Sequence, residues 1–154
     1  MLDLPAPLRA RGPDPADHQV IVEHFPRWWS DSRSVSGAGE LAGLVQPLFL
    51  EHFADTSLVV HDDSGELAAF LIALLSQSKP NESYIHFVGI DPEYRGKGIG
   101  KTMYEWFFAT ARKHDRDTVS AITGQDNHGS IAFHTNMGFS VDTSGEMVKF
   151  RRKI

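Results

Sequence analysis

Residues 94–102 read Tyr94-Arg95-Gly96-Lys97-Gly98-Ile99-Gly100-Lys101-Thr102 (YRGKGIGKT). An apolar stretch, SYIHFVGI at 83–90, precedes them and is closed by Asp91-Pro92. A helical pattern follows from Lys101 to about His114, with Met103, Phe107 and Ala111 on one stripe and Tyr104, Trp106 and Phe108 beside it. A strand that ends, glycines that permit close backbone approach, and a helix that begins make a recognisable anion site. The first amides of such a helix have no internal partner and lie at the positive end of its dipole. Lys97 and Lys101 add positive charge. Two nucleotide signatures fail at this place. A Walker A loop requires glycine where Arg95 stands, and no Walker B strand follows; a Rossmann G-x-G-x-x-G begins at Gly96 and Gly98 but meets Lys101. A phosphate or pyrophosphate cradle and a plain strand-to-helix turn both remain open on the loop alone.

Reading outward, Leu8–Arg11 is a short first strand. Asp14-Pro15 opens a helix that ends at Phe25, before Pro26. Arg27–Gly39 is a loop carrying Trp28 and Trp29. A second helix covers Glu40–Phe53, on the spacing of Leu41, Leu44, Val45, Leu48 and Phe49. Thr56–His61 and Glu66–Ser76 form an antiparallel hairpin across Asp62-Asp63-Ser64-Gly65. Ser83–Ile90 is the strand before the glycine loop, and Thr118–Thr123 the strand after its helix. A short helix over Asn127–Asn136 is closed by Gly138. Phe139–Asp142 and Glu146–Arg151 are the last strands. The order β-α-α-β-β-β-α-β-α-β-β predicts a mixed sheet with helices on both faces.

At 154 residues and 41% hydrophobic content, the sequence fits one domain over 1–154. A net charge of −5 argues against non-specific nucleic-acid binding, which runs on phosphate neutralisation. There is no cysteine, so disulfides and thiolate metal sites are excluded. The eight histidines lack metal-ligand spacing, and no metal is expected. No run reaches the roughly 18 apolar residues of a membrane span, and the first residues lack a signal-peptide core. The expectation is a cytoplasmic protein with no membrane partner.

Two motifs in order carry a resemblance. Arg95-x-x-Gly98-x-Gly100, after HFVGIDP, resembles the acyl-CoA pyrophosphate loop of the GNAT N-acetyltransferase superfamily. Asn127-x-x-Ser130-x-x-Phe133-His134, then Asn136-Met137-Gly138-Phe139, resembles that family's second signature. The element order is also similar. The resemblance implies an α/β (α+β) fold with a mixed, mostly antiparallel central sheet, helices on both faces, and a splayed parallel strand pair, Ser83–Ile90 and Thr118–Thr123, holding acyl-CoA. It implies acetyl-CoA as acyl donor and a primary amine, of a small molecule or a protein, as acceptor, by direct attack in a ternary complex. Val88, Gly89 and Ile90 would pair with the pantetheine arm. Arg95, Gly96, Lys97, Gly98, Ile99, Gly100 and Lys101 would hold the pyrophosphate, and Asn127, Ser130 and Phe133 would line the arm.

The amine must lose a proton before it can attack. Where relatives carry a glutamate base, this sequence has Tyr84; where they carry a tyrosine acid, it has His134. Strand alternation puts Tyr84, His86 and Val88 on one face, which makes His86 the leading base and Glu82 a weaker one. His134 is read either as an acid or as a binding and packing residue. Trp28 and Trp29 could contact the acceptor or pack over the sheet edge, and Asp31 and Glu51 could attract a cationic amine. A non-catalytic acyl-CoA-binding module is the alternative function, and a nucleotide-binding protein a further rival. An edge strand near the C-terminus could carry a homodimer.

Overall fold

A computed structural model describes residues 2–29 and 42–154. Seven strands, β1 (Arg9–Arg11), β2 (Leu58–His61), β3 (Leu67–Leu75), β4 (Glu82–Ile90), β5 (Thr118–Thr123), β6 (Ser140–Asp142) and β7 (Val148–Lys153), form one sheet in the order β1-β2-β3-β4-β5-β7-β6. Every neighbouring pair is antiparallel except β4 and β5. Helices α1 (Asp17–Trp28), α2 (Pro47–His52), α3 (Ile99–Lys113) and α4 (His128–Asn136) complete the described elements, with short 3-10 turns at Ala54–Thr56 and Pro92–Tyr94.

The central strand β3 reads LAAFLIALL, and its first seven residues are buried. A strand covered on both faces needs apolar residues without alternation. One core lies between the sheet and α3, built on Met103, Tyr104, Phe107, Phe108, Leu71, Ile85 and Phe150. The other lies between the sheet and α1 and α2, built on Ile21, Phe25, Trp28, Leu50, Phe70 and Ile72. Helices therefore cover both faces, as the sequence order predicts, and α3 is the crossover connection that parallel neighbours require.

Three expectations need correction. The first helix does not stop at Pro26 but runs through it to Trp28. Proline there removes the bond to the Val22 carbonyl and costs about 3 kcal/mol. Burial of Phe25 and Trp28, the latter stacked on Phe70 with ring centroids 6.1 Å apart, is worth roughly as much again and offsets it. The second helix does not run unbroken to Phe53 from its expected start. Residues 43–46 are not helical, and Pro47 starts α2, with Gln46 held extended at φ −110° and ψ 143°. Glu40 and Leu41 lie outside the described residues, as does Asp31. The third correction concerns β4 and bears on the site.

Candidate active site

Strands β4 and β5 pair only at their start, Glu82–Tyr84 against Thr118–Ser120. The Ser83 hydroxyl donates to the Thr118 carbonyl at 3.1 Å and helps pin this closed end. Beyond Tyr84, β4 stays bonded to β3 as far as Ile90 but no longer to β5. The sheet opens into a V. A bulge accompanies the opening: Ile72 faces Phe87 and Ala73 faces Ile85, so His86 is the extra residue on β4. A bulge bends its strand and re-aims the side chains beyond it. Expected alternation thus fails here. Tyr84, His86 and Val88 do not share a face, because Val88 and Ile85 both pack in the α3-side core while Phe87 packs in the α1-side core.

Past Ile90, the Asp91 carboxylate accepts the Glu93 amide at 2.9 Å and forms a two-bond ion pair with Arg27 at the end of α1. Burial works against the charged form, yet the Arg27 and Glu93 hydrogen bonds hold this carboxyl below its ordinary value. The chain then turns through Gly96 (φ 78°) and Gly98 (φ 80°), a left-handed backbone that side chains resist. Gly98 is the N-cap of α3 and has no side chain to bond its amides. The first α3 bond runs from the Thr102 amide to the Gly98 carbonyl at 3.0 Å, which leaves the amides of Ile99, Gly100 and Lys101 unclaimed within the helix. They border a cleft of about 820 Å³. Gly100 lets the helix approach closely: a Cβ there would stand 3.2 Å from both Ile90 and Phe133. The opposite wall is the start of α4, where the Asn127 carboxamide accepts the Ser130 amide at 3.1 Å and donates to the Thr123 hydroxyl at 3.1 Å.

The cations at the cradle are partly engaged. Arg95 donates to the carbonyls of Trp28 (2.7 Å) and Ile90 (3.2 Å), bracing the glycine loop against α1. Lys101 pairs with Glu105, and Lys97 lies over the Tyr94 ring, outside the described lining of the cleft. Trp28 and Trp29 close the α1 side of the cleft, and the buried Trp28 Nε1–H has no hydrogen-bond partner among the described residues.

A second cavity, about 240 Å³, opens on the other side of the V and contains Tyr84, His86 and His134 in its lining. The two clefts share Trp29, Val88, Asn127 and Ser130. His86 sits 2.7 Å from the Leu44 carbonyl through Nε2. A carbonyl only accepts, so Nε2 carries the proton and Nδ1 is the basic nitrogen. The Phe49 ring packs edge-on against this imidazole, with centroids 5.0 Å apart, and Tyr84 lies at 6.1 Å. Burial raises the Tyr84 phenol above its ordinary value, so it stays a hydroxyl donor.

His134 is held differently. Its Nδ1–H donates to the Ser130 carbonyl (2.8 Å), which makes Nε2 the acceptor for the buried Tyr104 hydroxyl (2.9 Å). Its ring stacks on Phe150 with centroids 3.9 Å apart. Burial lowers its pKa, against a smaller opposing effect of the Ser130 carbonyl, so the ring is neutral and both nitrogens are engaged. Glu82 is tied to Arg151 at the closed end of the V and lines neither of these clefts, and Glu51 lines neither. Tyr104, Leu44, Ile122 and Met147 are not legible as site residues in the sequence. Tyr104 reads as core, and the other three lie on separate elements that only the folded sheet brings together. Among the described residues there is no group of three or more side chains able to hold a metal, and no helix long and apolar enough to cross a membrane.

Residues 19–139 match the Acetyltransferase (GNAT) family, and the chain belongs to it. It is 36% identical over 96 residues to the L-2,4-diaminobutyric acid acetyltransferase of Virgibacillus pantothenticus, covering 62% of this chain and 60% of that protein. It is 30% identical over 82 residues to the 5-NmdU N-acetyltransferase of Pseudomonas phage PaMx11, covering 53% and 56%. The chain thus spans less than two thirds of the length of these two relatives. Ard1 from Thermoplasma volcanium superposes with a TM-score of 0.69 at 17% identity, over 96% of this chain and 97% of that one. The PaiA N-acetyltransferase from Thermoplasma acidophilum, solved in complex with coenzyme A, gives 0.70 at 18% identity, over 96% and 99%. At such identities the likeness is one of fold: a seven-stranded, mostly antiparallel sheet with one parallel pair and helices on both faces.

Proposed function

We propose that the protein is an N-acetyltransferase that moves an acetyl group from acetyl-CoA to a primary amine by direct attack in a ternary complex. The observation that carries this reading is the meeting of two clefts at the point where β4 parts from β5. One cleft has the unclaimed amides of α3 and suits a diphosphate. The other has His86, whose Nδ1 has no hydrogen-bond partner among the described residues.

In this reading the amides of Ile99, Gly100 and Lys101 take the pyrophosphate, helped by the Gly96–Gly98 turn. The unpaired edge of β4 at Val88, Gly89 and Ile90 extends its ladder to the pantetheine arm, and Asn127, Ser130 and Phe133 form the facing wall. The thioester lies at the junction. The Nδ1 of His86 takes the amine proton, and the Leu44 carbonyl stabilises the imidazolium that results. The amine nitrogen forms its bond to the carbonyl carbon, whose oxygen gains negative charge and is met by a backbone N–H near Val88. The C–S bond then breaks. A thiol of pKa about 8.5 leaves as thiolate without much help and takes its proton from solvent. Tyr84 supplies a hydroxyl donor beside His86. His134 acts as a positioning residue that holds the start of α4 through the Ser130 carbonyl and ties it to α3 through Tyr104.

Free-thiol release from acetyl-CoA over a panel of primary amines tests the reading, alongside calorimetry with coenzyme A. Turnover with at least one amine is the expected result. Coenzyme A binding with no turnover on any amine favours the non-catalytic binding module instead.

A further inference from the structure

The second cavity has a composition that bears on the acceptor. Large apolar side chains left exposed are few among the described residues, and three of the five gather at this one mouth: Leu44 (44% exposed), Ile122 (48%) and Met147 (39%). They come from the segment before α2, from β5 and from the residue before β7, so no single amphipathic element explains the grouping. Singly scattered apolar residues need no account, but a contiguous set around a cavity marks a surface meant to be covered. Inside the mouth the walls continue with Trp29, Tyr84 and Phe87, the Trp29 and Phe87 rings meeting edge to face at 5.5 Å. Among the described residues the lining has no Asp, Glu, Lys or Arg.

We propose that the acceptor is a small primary amine carried on a single apolar body, an aromatic ring or a branched alkyl group. This rests on the acetyltransferase reading above and specifies its second substrate. Three physical points carry it. A carboxylate buried here would find no guanidinium or ammonium partner on the described walls, and an unpaired buried charge is costly. A second ammonium, as in a diamine, would meet apolar side chains in place of a carboxylate on the described walls. The volume of about 240 Å³ suits one ring and a short amine arm, since a cavity of about 150 Å³ already holds benzene. A folded protein's terminus would need a longer trough. With the ring between Trp29, Phe87 and the Met147 rim, the amine points to the junction and to Nδ1 of His86.

The test compares kcat/KM for 2-phenylethylamine, 1,4-diaminobutane, lysine and an alanine-rich peptide with a free N-terminus, at saturating acetyl-CoA. The expected result is a preference for 2-phenylethylamine of at least about ten-fold over each other amine, the scale on which apolar pockets discriminate. In Met147→Glu the preference for 2-phenylethylamine over 1,4-diaminobutane shrinks by about ten-fold, while coenzyme A affinity stays within about two-fold. Ile122→Glu provides the same readout if the first variant does not fold. Acetylation that favours the diamine, lysine or the peptide overturns the acceptor assignment and leaves the acetyltransferase reading standing. An unchanged preference in the folded variants also overturns it. Absence of both coenzyme A binding and turnover overturns the two together.

Discussion

His86 and His134 are both imidazoles near the V, yet their hydrogen bonds give them opposite chemistry. The Leu44 carbonyl fixes the proton of His86 on Nε2 and leaves Nδ1 basic, whereas Tyr104 and Ser130 occupy both nitrogens of His134. His86→Ala is expected to lower kcat/KM by about 10²-fold or more, the usual worth of a positioned base, with coenzyme A affinity nearly unchanged and partial recovery in added imidazole. Steady-state kinetics and calorimetry check both parts. His134 leads to a different experiment. Its folded-state pKa lies below the ordinary 6.5, so as pH falls below about 6.5 the unfolded chain takes up a proton that the folded chain refuses. Stability is therefore fully present above that value and declines below it, down to the folded-state pKa. Denaturant melts of the wild type and His134→Phe across this window should show a flatter dependence in the variant. Asp17 and Asp91, also held low, withdraw their contribution only below about 3.8, whereas His61, lowered mainly by burial, contributes in the His134 window in wild type and variant alike, so the difference between the two proteins reports His134. At the cradle, Gly98→Ala meets no neighbour within 4 Å but must adopt φ 80°. A strain of about 1–2 kcal/mol turns the first amides away, and KM for acetyl-CoA should rise roughly ten-fold, about 1.4 kcal/mol.

At the scale of elements, the strands and α3 are readable because each rests on local chemistry. The run LAAFLIALL demands burial on both faces, and the stripe from Met103 to Ala111 fits only a helix. Helix α1 escapes a local reading at Pro26 because the proline's penalty is outweighed by the tertiary burial of Trp28. Helix α2 escapes it because the apolar spacing across 41–49 looks continuous, although Pro47 disfavours helix at Gln46, where no buried aromatic pair among the described residues compensates as one does around Pro26. The bulge at His86 has no sequence signal at all. It arises from pairing with β3, and it decides which face His86 and Val88 occupy. The Leu44–Val45 segment illustrates the same limit: its two carbonyls are held by His86 and by His18 of α1, at 2.7 and 2.9 Å, contacts that span 42 and 27 residues. Gly89 belongs to this scale too. A Cβ there would come within 2.5 Å of Phe70 and 2.7 Å of Trp29, so β4 can lie under these rings only as glycine. Gly89→Ala is expected to destabilise by about 1–3 kcal/mol, seen in urea melts, and to weaken acetyl-CoA binding by displacing Trp29.

Across the molecule, the two cores and the single parallel pair act together. The α3-side core takes residues from both arms of the V, Ile85 and Val88 of β4 and Val119 and Ala121 of β5, and the α1-side core takes Phe87 of β4, while the Arg27–Asp91 pair and the Arg95 bonds join the end of α1 to the glycine loop. The cradle at the α3 N-terminus is legible because backbone amides without a helical partner suit a diphosphate, and a Gly-rich strand-to-helix turn announces their placement. The second cavity is not, since Leu44, Ile122 and Met147 meet only once the sheet is built. The most direct measurement is a crystal structure with bound coenzyme A. The pyrophosphate is expected within hydrogen-bond distance of the amides of Ile99 to Lys101, with the sulfur between Val88 and Asn127, where the two clefts join. Coenzyme A bound away from the α3 N-terminus, or with its thiol pointing out of the V, would contradict the account.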